Sequence, residues 1–192
     1  MIEILTNTYQ LWEPPVDGQA DRLVELDMGC GKGRFTLALA ERYPERLILG
    51  SDVMIGRLRR LDAKVERRGL GNVRLLRAES LTLAAFQLSP QSLDRLHLLC
   101  PDPWPKRHHR VRRLVCTDFL CRLPRILKPG GVLHLSTDHE PYFTDWLELF
   151  DRMPHFHSAP EAMADIADLK TDFERQWNAA GKAVRHVCFR LQ

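Results

Sequence analysis

The sequence predicts an α/β fold with a mostly parallel sheet and helices on both of its faces. Short apolar runs alternate with stretches of helical periodicity along most of the chain. The first apolar run leads directly into a glycine-rich turn, and acidic residues recur where the runs end. Open sheets of this kind hold ligands at the carboxyl ends of their strands, so those ends are where chemistry is expected. The 192 residues suit one domain, 1–192, with a full core.

Residues 23–28 read as the first strand, and 34–43 as a helix stopped by Pro44. Residues 47–52 form the second strand. A basic helix follows from 55 to 68, ended by Gly69 and Gly71, and 73–77 is the third strand. Residues 93–99 make a fourth strand that runs into Pro101-Asp102-Pro103-Trp104. Residues 118–127 are helical and closed by Lys128-Pro129-Gly130-Gly131; 132–137 is the fifth strand, 142–153 a helix and 184–191 a terminal strand. Between 155 and 182 no period is strong enough to assign an element.

Composition narrows the function. The formal net charge of +3 is mild, so the placement of charge matters more than its sum. No stretch approaches the ~20 apolar residues of a membrane helix, and the N-terminus lacks the basic start and apolar run of a sorting signal. Cys30, Cys100, Cys116, Cys121 and Cys188 form no C-x-x-C pair, which favours free thiols in a reducing cytoplasm over a zinc site. His108 and His109 lack the neighbouring carboxylate or thiolate spacing of metal ligands, so no metal is expected.

Gly29, Gly31 and Gly33 stand at alternate positions after the first strand, allowing a tight turn and close approach of a ligand to the backbone. A dinucleotide fingerprint would require a third glycine at position 34, which is Arg34, and this counts against a nicotinamide cofactor. Asp27 precedes the turn, Asp52 ends the second strand and Glu79 follows the third. A carboxylate at 52 suits ribose hydroxyls, and an acidic pocket suits a cationic ligand far better than a pyrophosphate.

Three prolines around Asp102 and Trp104 restrict the local backbone and hold the carboxylate in place. The densest positive run follows: five of the eight residues 106–113 are Lys or Arg. Phosphates are the natural partner of such a run, although a solvated surface has the same composition. Arginines of the second helix extend the surface or form its solvent face. Trp104 is placed to stack on a base or to fill the core.

Together these residues resemble the bacterial tRNA (guanine-N7)-methyltransferase family. The resemblance runs from Leu23 to the end. It rests on Pro101-Asp102-Pro103-Trp104-Pro105-Lys106 with Arg112-Arg113-Leu114-Val115, on Ser136-Thr137-Asp138 with Glu140 and Tyr142, and on Thr171-Asp172-Phe173-Glu174-Arg175. It implies a Rossmann-like class I methyltransferase fold of seven strands with the last antiparallel, and S-adenosylmethionine as cofactor. It implies cofactor contacts at Asp27, Asp52, Glu79 and Asp102, with tRNA contacts at Lys106, Asp138, Thr171, Phe173 and Glu174. The family usually carries glutamate at the positions of Asp27 and Asp52, aspartate at that of Glu79, and lysine at that of Asp172. The segment before the first strand is short. Alternatives that share these residues are a methyltransferase for another RNA position, a protein or a small molecule, and an RNA-binding module without turnover.

Overall fold

The computed structural model describes residues 1–5, 11–14 and 22–192. Eight strands form one sheet in the order β1-β4-β3-β2-β5-β6-β8-β7. They are β1 (Ile2–Ile4), β2 (Val24–Met28), β3 (Leu47–Asp52), β4 (Val73–Arg77), β5 (Leu93–Leu99), β6 (Leu127–Thr137), β7 (Phe156–Ser158) and β8 (Arg185–Leu191). Neighbours from β1 through β6 pair parallel; β8 runs antiparallel to both β6 and β7.

Among the described residues the count is eight, against the seven that the resemblance implies and the six that the apolar runs predict. The two beyond those six are the short edge strands β1 and β7, each of three residues. Three residues carry too little period to be read as a strand. The N-terminal stretch read for sorting signals is covered only in part, because 6–10 and 15–21 lie outside the described residues. No helix among the described residues is long and apolar enough to cross a membrane.

The helices are α1 (Arg34–Arg42), α2 (Ile55–Arg67), α3 (Ser80–Thr82), α4 (Thr117–Leu120), α5 (Leu123–Ile126), α6 (Glu140–Phe150) and α7 (Asp172–Ala179). The single helix expected over 118–127 is two, α4 and α5. Pro124 lacks the N–H that a continuous helix would use there, so the chain restarts with proline in its first turn. The Lys128-Pro129-Gly130-Gly131 sequence does not end a helix; it lies within β6, where the register with β5 shifts between Leu93 and Arg95. Helix α6 starts two residues earlier than expected, because His139 caps it by accepting the Tyr142 N–H and Pro141 tolerates the first turn.

Two apolar layers cover the sheet. Val24, Leu26 and Met28 of β2 face one layer with Phe119, Leu120, Tyr142 and Trp146. Ile48 and Leu75 face the other with Phe35, Leu39, Leu58 and Leu61 of α1 and α2. Glu25 and Asp27 alternate with the first set, so both point under α1 although every residue of β2 is buried.

Gly33 belongs to this packing. A Cβ there would sit 2.2 Å from Leu61 Cδ1, and its φ is +76°. Its missing side chain lets α2 lie against the start of α1. Gly33→Ala is expected to cost about 2–5 kcal/mol from left-handed strain and overpacking, read as a lowered urea midpoint with unchanged slope.

Candidate functional site

Strand order reverses between β2 and β5: the chain runs outward from β2 through β3 and β4, then returns to place β5 on its other side. Such a switch point opens a crevice at the carboxyl ends of the two strands. The glycine turn leaves β2 there, and the Pro101–Lys106 stretch leaves β5 beside it.

Gly29 (φ +77°) and Gly31 (φ +57°) adopt left-handed conformations. A Cβ on Gly29 would meet nothing within 4 Å, and one on Gly31 only the Gly29 carbonyl oxygen at 3.9 Å. The two glycines therefore expose bare backbone to open space, a cradle for a ligand. Asp52 holds the turn from the next strand: Gly31 N donates to Oδ2 (3.1 Å), Met54 N donates to Oδ1 (2.7 Å), and Arg57 lies at 3.4 Å from Oδ2. Asp27 is buried below, accepting from the Thr36 hydroxyl at 2.6 Å. Burial pushes the Asp27 carboxyl above the ordinary aspartate range, opposed by the Thr36 hydrogen bond and by His97.

Glu79 is exposed and caps α3. Oε1 accepts from Leu81 N (2.9 Å), and Oε2 from Thr82 N (2.7 Å) and Thr82 Oγ1 (2.8 Å). These bonds hold its pKa down against burial. An ionised carboxylate has about four acceptor sites, so capping leaves room for one further donor.

Asp102 is exposed, and no hydrogen bond or ion pair engages its carboxylate among the described residues. The backbone around it is constrained. Cys100 (φ 51°) and Trp104 (φ 41°) both occupy the left-handed region, uncommon for residues with a side chain. Cys100 N donates to Ser136 O (2.9 Å), and Arg113 Nε donates to Pro103 O (2.8 Å). Arg113 is itself buried, paired with Asp145 and lying 4.5 Å over the Tyr142 ring. The run of cations thus divides. Arg113 clamps the loop from inside, and Arg112 covers Trp104 at 5.0 Å. Lys106, Arg107 and Arg110 remain exposed without side-chain partners among the described residues. Trp104 is half-buried, edge-on to His109.

Asp138 follows β6. Thr171 caps α7 by accepting the Glu174 N–H at 3.0 Å. Burial lifts the Cys100 thiol pKa, Glu174 and Asp138 lift it further, and hydrogen bonds with Ser136 and Thr171 oppose this. Asp138, Thr171 and Glu174 therefore gather at the ends of β5 and β6. Phe173 is 52% exposed, stacked on Trp177. Glu174, by contrast, is buried, its Oε1 facing His186 Nε2 at 3.2 Å and Lys170 Nζ at 3.3 Å. Asp172, the charge reversal noted in the sequence, meets Arg34 Nε at 2.8 Å. That pair joins α7 to the glycine turn.

Sequence reasoning missed His97, His134 and His186, the clamp by Arg113 and Asp145, and the Arg34–Asp172 pair. The signal for His97 and His134 was a histidine between two leucines in a strand; His186, next to Arg185, carried none.

A glycine turn held by Asp52 at this switch point, in a mostly parallel sheet whose last strand is antiparallel, is the architecture of a Rossmann-like class I methyltransferase. Residues 21–187 match the family described as "Putative methyltransferase". Curated relatives agree. The tRNA (guanine-N(7)-)-methyltransferase of Leifsonia xyli is 38% identical over 90% of this chain and 75% of its own length. That of Nitrosospira multiformis is 33% identical over 86% and 73%. That of Thermus thermophilus is 37% identical over 93%, and there the chain spans 58% of the relative's length. The chain belongs to the tRNA (guanine-N(7)-)-methyltransferase family. Solved structures share the fold: the 16S rRNA methyltransferase KamB at TM-score 0.67 and 20% identity, covering 91% of this chain and 90% of that one. A SAM-dependent methyltransferase from Aquifex aeolicus has TM-score 0.61 and 17% identity, over 88% and 82%.

Proposed function

We propose that this protein is a single-domain cytoplasmic enzyme that methylates N7 of a tRNA guanine, at position 46 of the variable loop. The observation that carries this is Asp102: a carboxylate exposed and without a partner among the described residues, on a constrained loop at the end of β5 and at the head of Lys106, Arg107 and Arg110.

S-adenosylmethionine, when bound, supplies an electrophilic methyl group. Gly29 and Gly31 would bring the chain close to it, Asp52 would accept from its ribose, Asp27 would face its cationic amino-acid end and Glu79 its adenine, while Gly33 holds the turn against Leu61. Guanine N7 has a lone pair and no proton, so this chain needs no general base at the nucleophile. Asp102 orients the base and stabilises the positive charge that develops on it. Lys106 and the arginines hold phosphates, and Asp138, Thr171, Phe173 and Glu174 line the substrate side. The remaining contribution is positioning of the two reactants.

The deciding experiment incubates the protein with labelled S-adenosylmethionine and unmodified tRNA, then identifies the modified nucleoside. Labelled 7-methylguanosine supports the proposal. A different methylated nucleoside moves the target, and no label on any RNA removes it.

Asp27 adds a pH prediction. Its raised pKa means that protonation begins at a higher pH on acidification than for an ordinary aspartate. Affinity for S-adenosylmethionine, measured by calorimetry, should start to fall above pH 3.8, and in Asp27→Asn it should be weaker and lack that acid limb.

A further inference from the structure

Five buried or half-buried side chains from four strands and one helix form a continuous hydrogen-bonded row under α1. Glu25 Oε2 lies 2.9 Å from His97 Nε2. His97 Nδ1 lies 3.0 Å from His134 Nδ1. His134 Nε2 lies 3.0 Å from His186 Nδ1, and His186 Nε2 lies 3.2 Å from Glu174 Oε1. Every ring nitrogen of the three histidines is committed to a neighbour in the row.

The row can be counted in protons. A carboxylate stands at each end and, when ionised, only accepts. Four contacts need four hydrogens, and three neutral imidazoles carry three. If Glu25 donates nothing, His97 must present Nε2–H, His134 then Nδ1–H, and His186 Nδ1–H. That orientation leaves a lone pair on His186 Nε2 against the Glu174 carboxylate. One more proton closes the row, and it can sit on either terminal ring by shifting the hydrogens along the line.

We propose that His97, His134 and His186 together hold this fourth proton, and that it seats the Glu174 carboxylate against β8, making His186 a positioning residue for the 171–174 segment. The functional half rests on the assignment of that segment to the tRNA side of the site.

The surroundings are consistent with it. Glu25 faces Arg46 and Arg95, which also share Asp165, and Glu174 faces Lys170. Burial raises the pKa of both end carboxylates, but His97, Arg95 and Arg46 outweigh it at Glu25, as His186 and Lys170 do at Glu174; both are held below their ordinary values. His134, in the middle, is driven strongly toward the neutral form by burial, by the two flanking histidines and by Arg95. The added charge therefore belongs at the ends, next to a carboxylate. Phe35 covers His97 edge-on at 4.8 Å and brings no charge from α1, while Asp27 is the remaining acid that senses His97. The row thus begins beneath the glycine cradle and ends in the helix capped by Thr171.

Raising the pH removes the fourth proton, turns a lone pair on Glu174 and loosens the start of α7. A lost hydrogen bond to a charged group predicts that KM for tRNA rises about tenfold from neutral to alkaline pH, with cofactor affinity unchanged. Nitrogen–proton correlation spectra of the imidazoles, recorded on the unliganded protein at neutral pH, count the hydrogens directly. Four nitrogen-bound protons summed over the three rings support the proposal, and three overturn it, whether or not the protein methylates tRNA. His186→Gln keeps an amide donor toward Glu174 but cannot titrate, so its KM should stay flat across the same pH range. If wild type methylates tRNA and the variant shows the same alkaline rise, the positioning role is wrong even with four protons present.

Discussion

Asp102→Asn is expected to lower turnover of tRNA methylation by about 10²- to 10³-fold, the cost of removing one fixed electrostatic group from a developing charge. The substitution keeps the shape of the side chain and removes its charge. Nothing in the folded chain should respond, because the Asp102 carboxylate is exposed and engages no partner among the described residues. The loop is held instead by Arg113 on the Pro103 carbonyl and by Cys100 on Ser136. The thermal midpoint should therefore stay near wild type while single-turnover rates collapse. Near-normal turnover in the variant would remove Asp102 from catalysis.

Glu25→Gln should produce a large loss of stability, about 3–5 kcal/mol, because it removes a buried carboxylate that three groups share and leaves the half-buried Arg46 and Arg95 with Asp165 alone. Glu25 is 1% exposed and takes Arg46, His97 and Arg95 at once. In the folded chain its pKa falls from 4.5 to about 2, so the stability it contributes is complete above pH 4.5 and is lost as pH falls through about 2. The gap between wild type and variant should be widest near neutrality and close across that acid window. For a chain of this size the neutral-pH difference corresponds to a Tm lowered by about 10 °C, measurable by calorimetry. An unchanged midpoint would mean that the cluster contributes little beyond what a neutral amide supplies.

Much of the architecture was legible in the residues alone, and the reason is periodicity. Parallel strands covered on both faces read as apolar runs, and β2, β3, β4 and β5 fall where those runs lie. The glycine turn, Asp52 and the proline-bounded Asp102 were equally visible. A left-handed turn needs glycine, a carboxylate near a strand end marks the ligand crevice, and prolines announce a fixed loop. Both short edge strands and the restart at Pro124 escaped, since three- and four-residue elements leave almost no pattern.

Partnership is what the linear order conceals. Arg113 stands in a run of cations yet turns inward to Asp145, 32 residues on. Gly33 looks like a member of the ligand turn, yet its bare Cα is required by Leu61. Asp172 reverses an expected charge yet finds Arg34, 138 residues away. The histidine row draws on β5, β6 and β8, which lie side by side in the sheet although β7 comes between β6 and β8 along the chain. Local chemistry follows from residue type and spacing. Which groups share a buried proton or an ion pair follows from sheet order and side-chain direction, and these exist only once the chain has closed on itself.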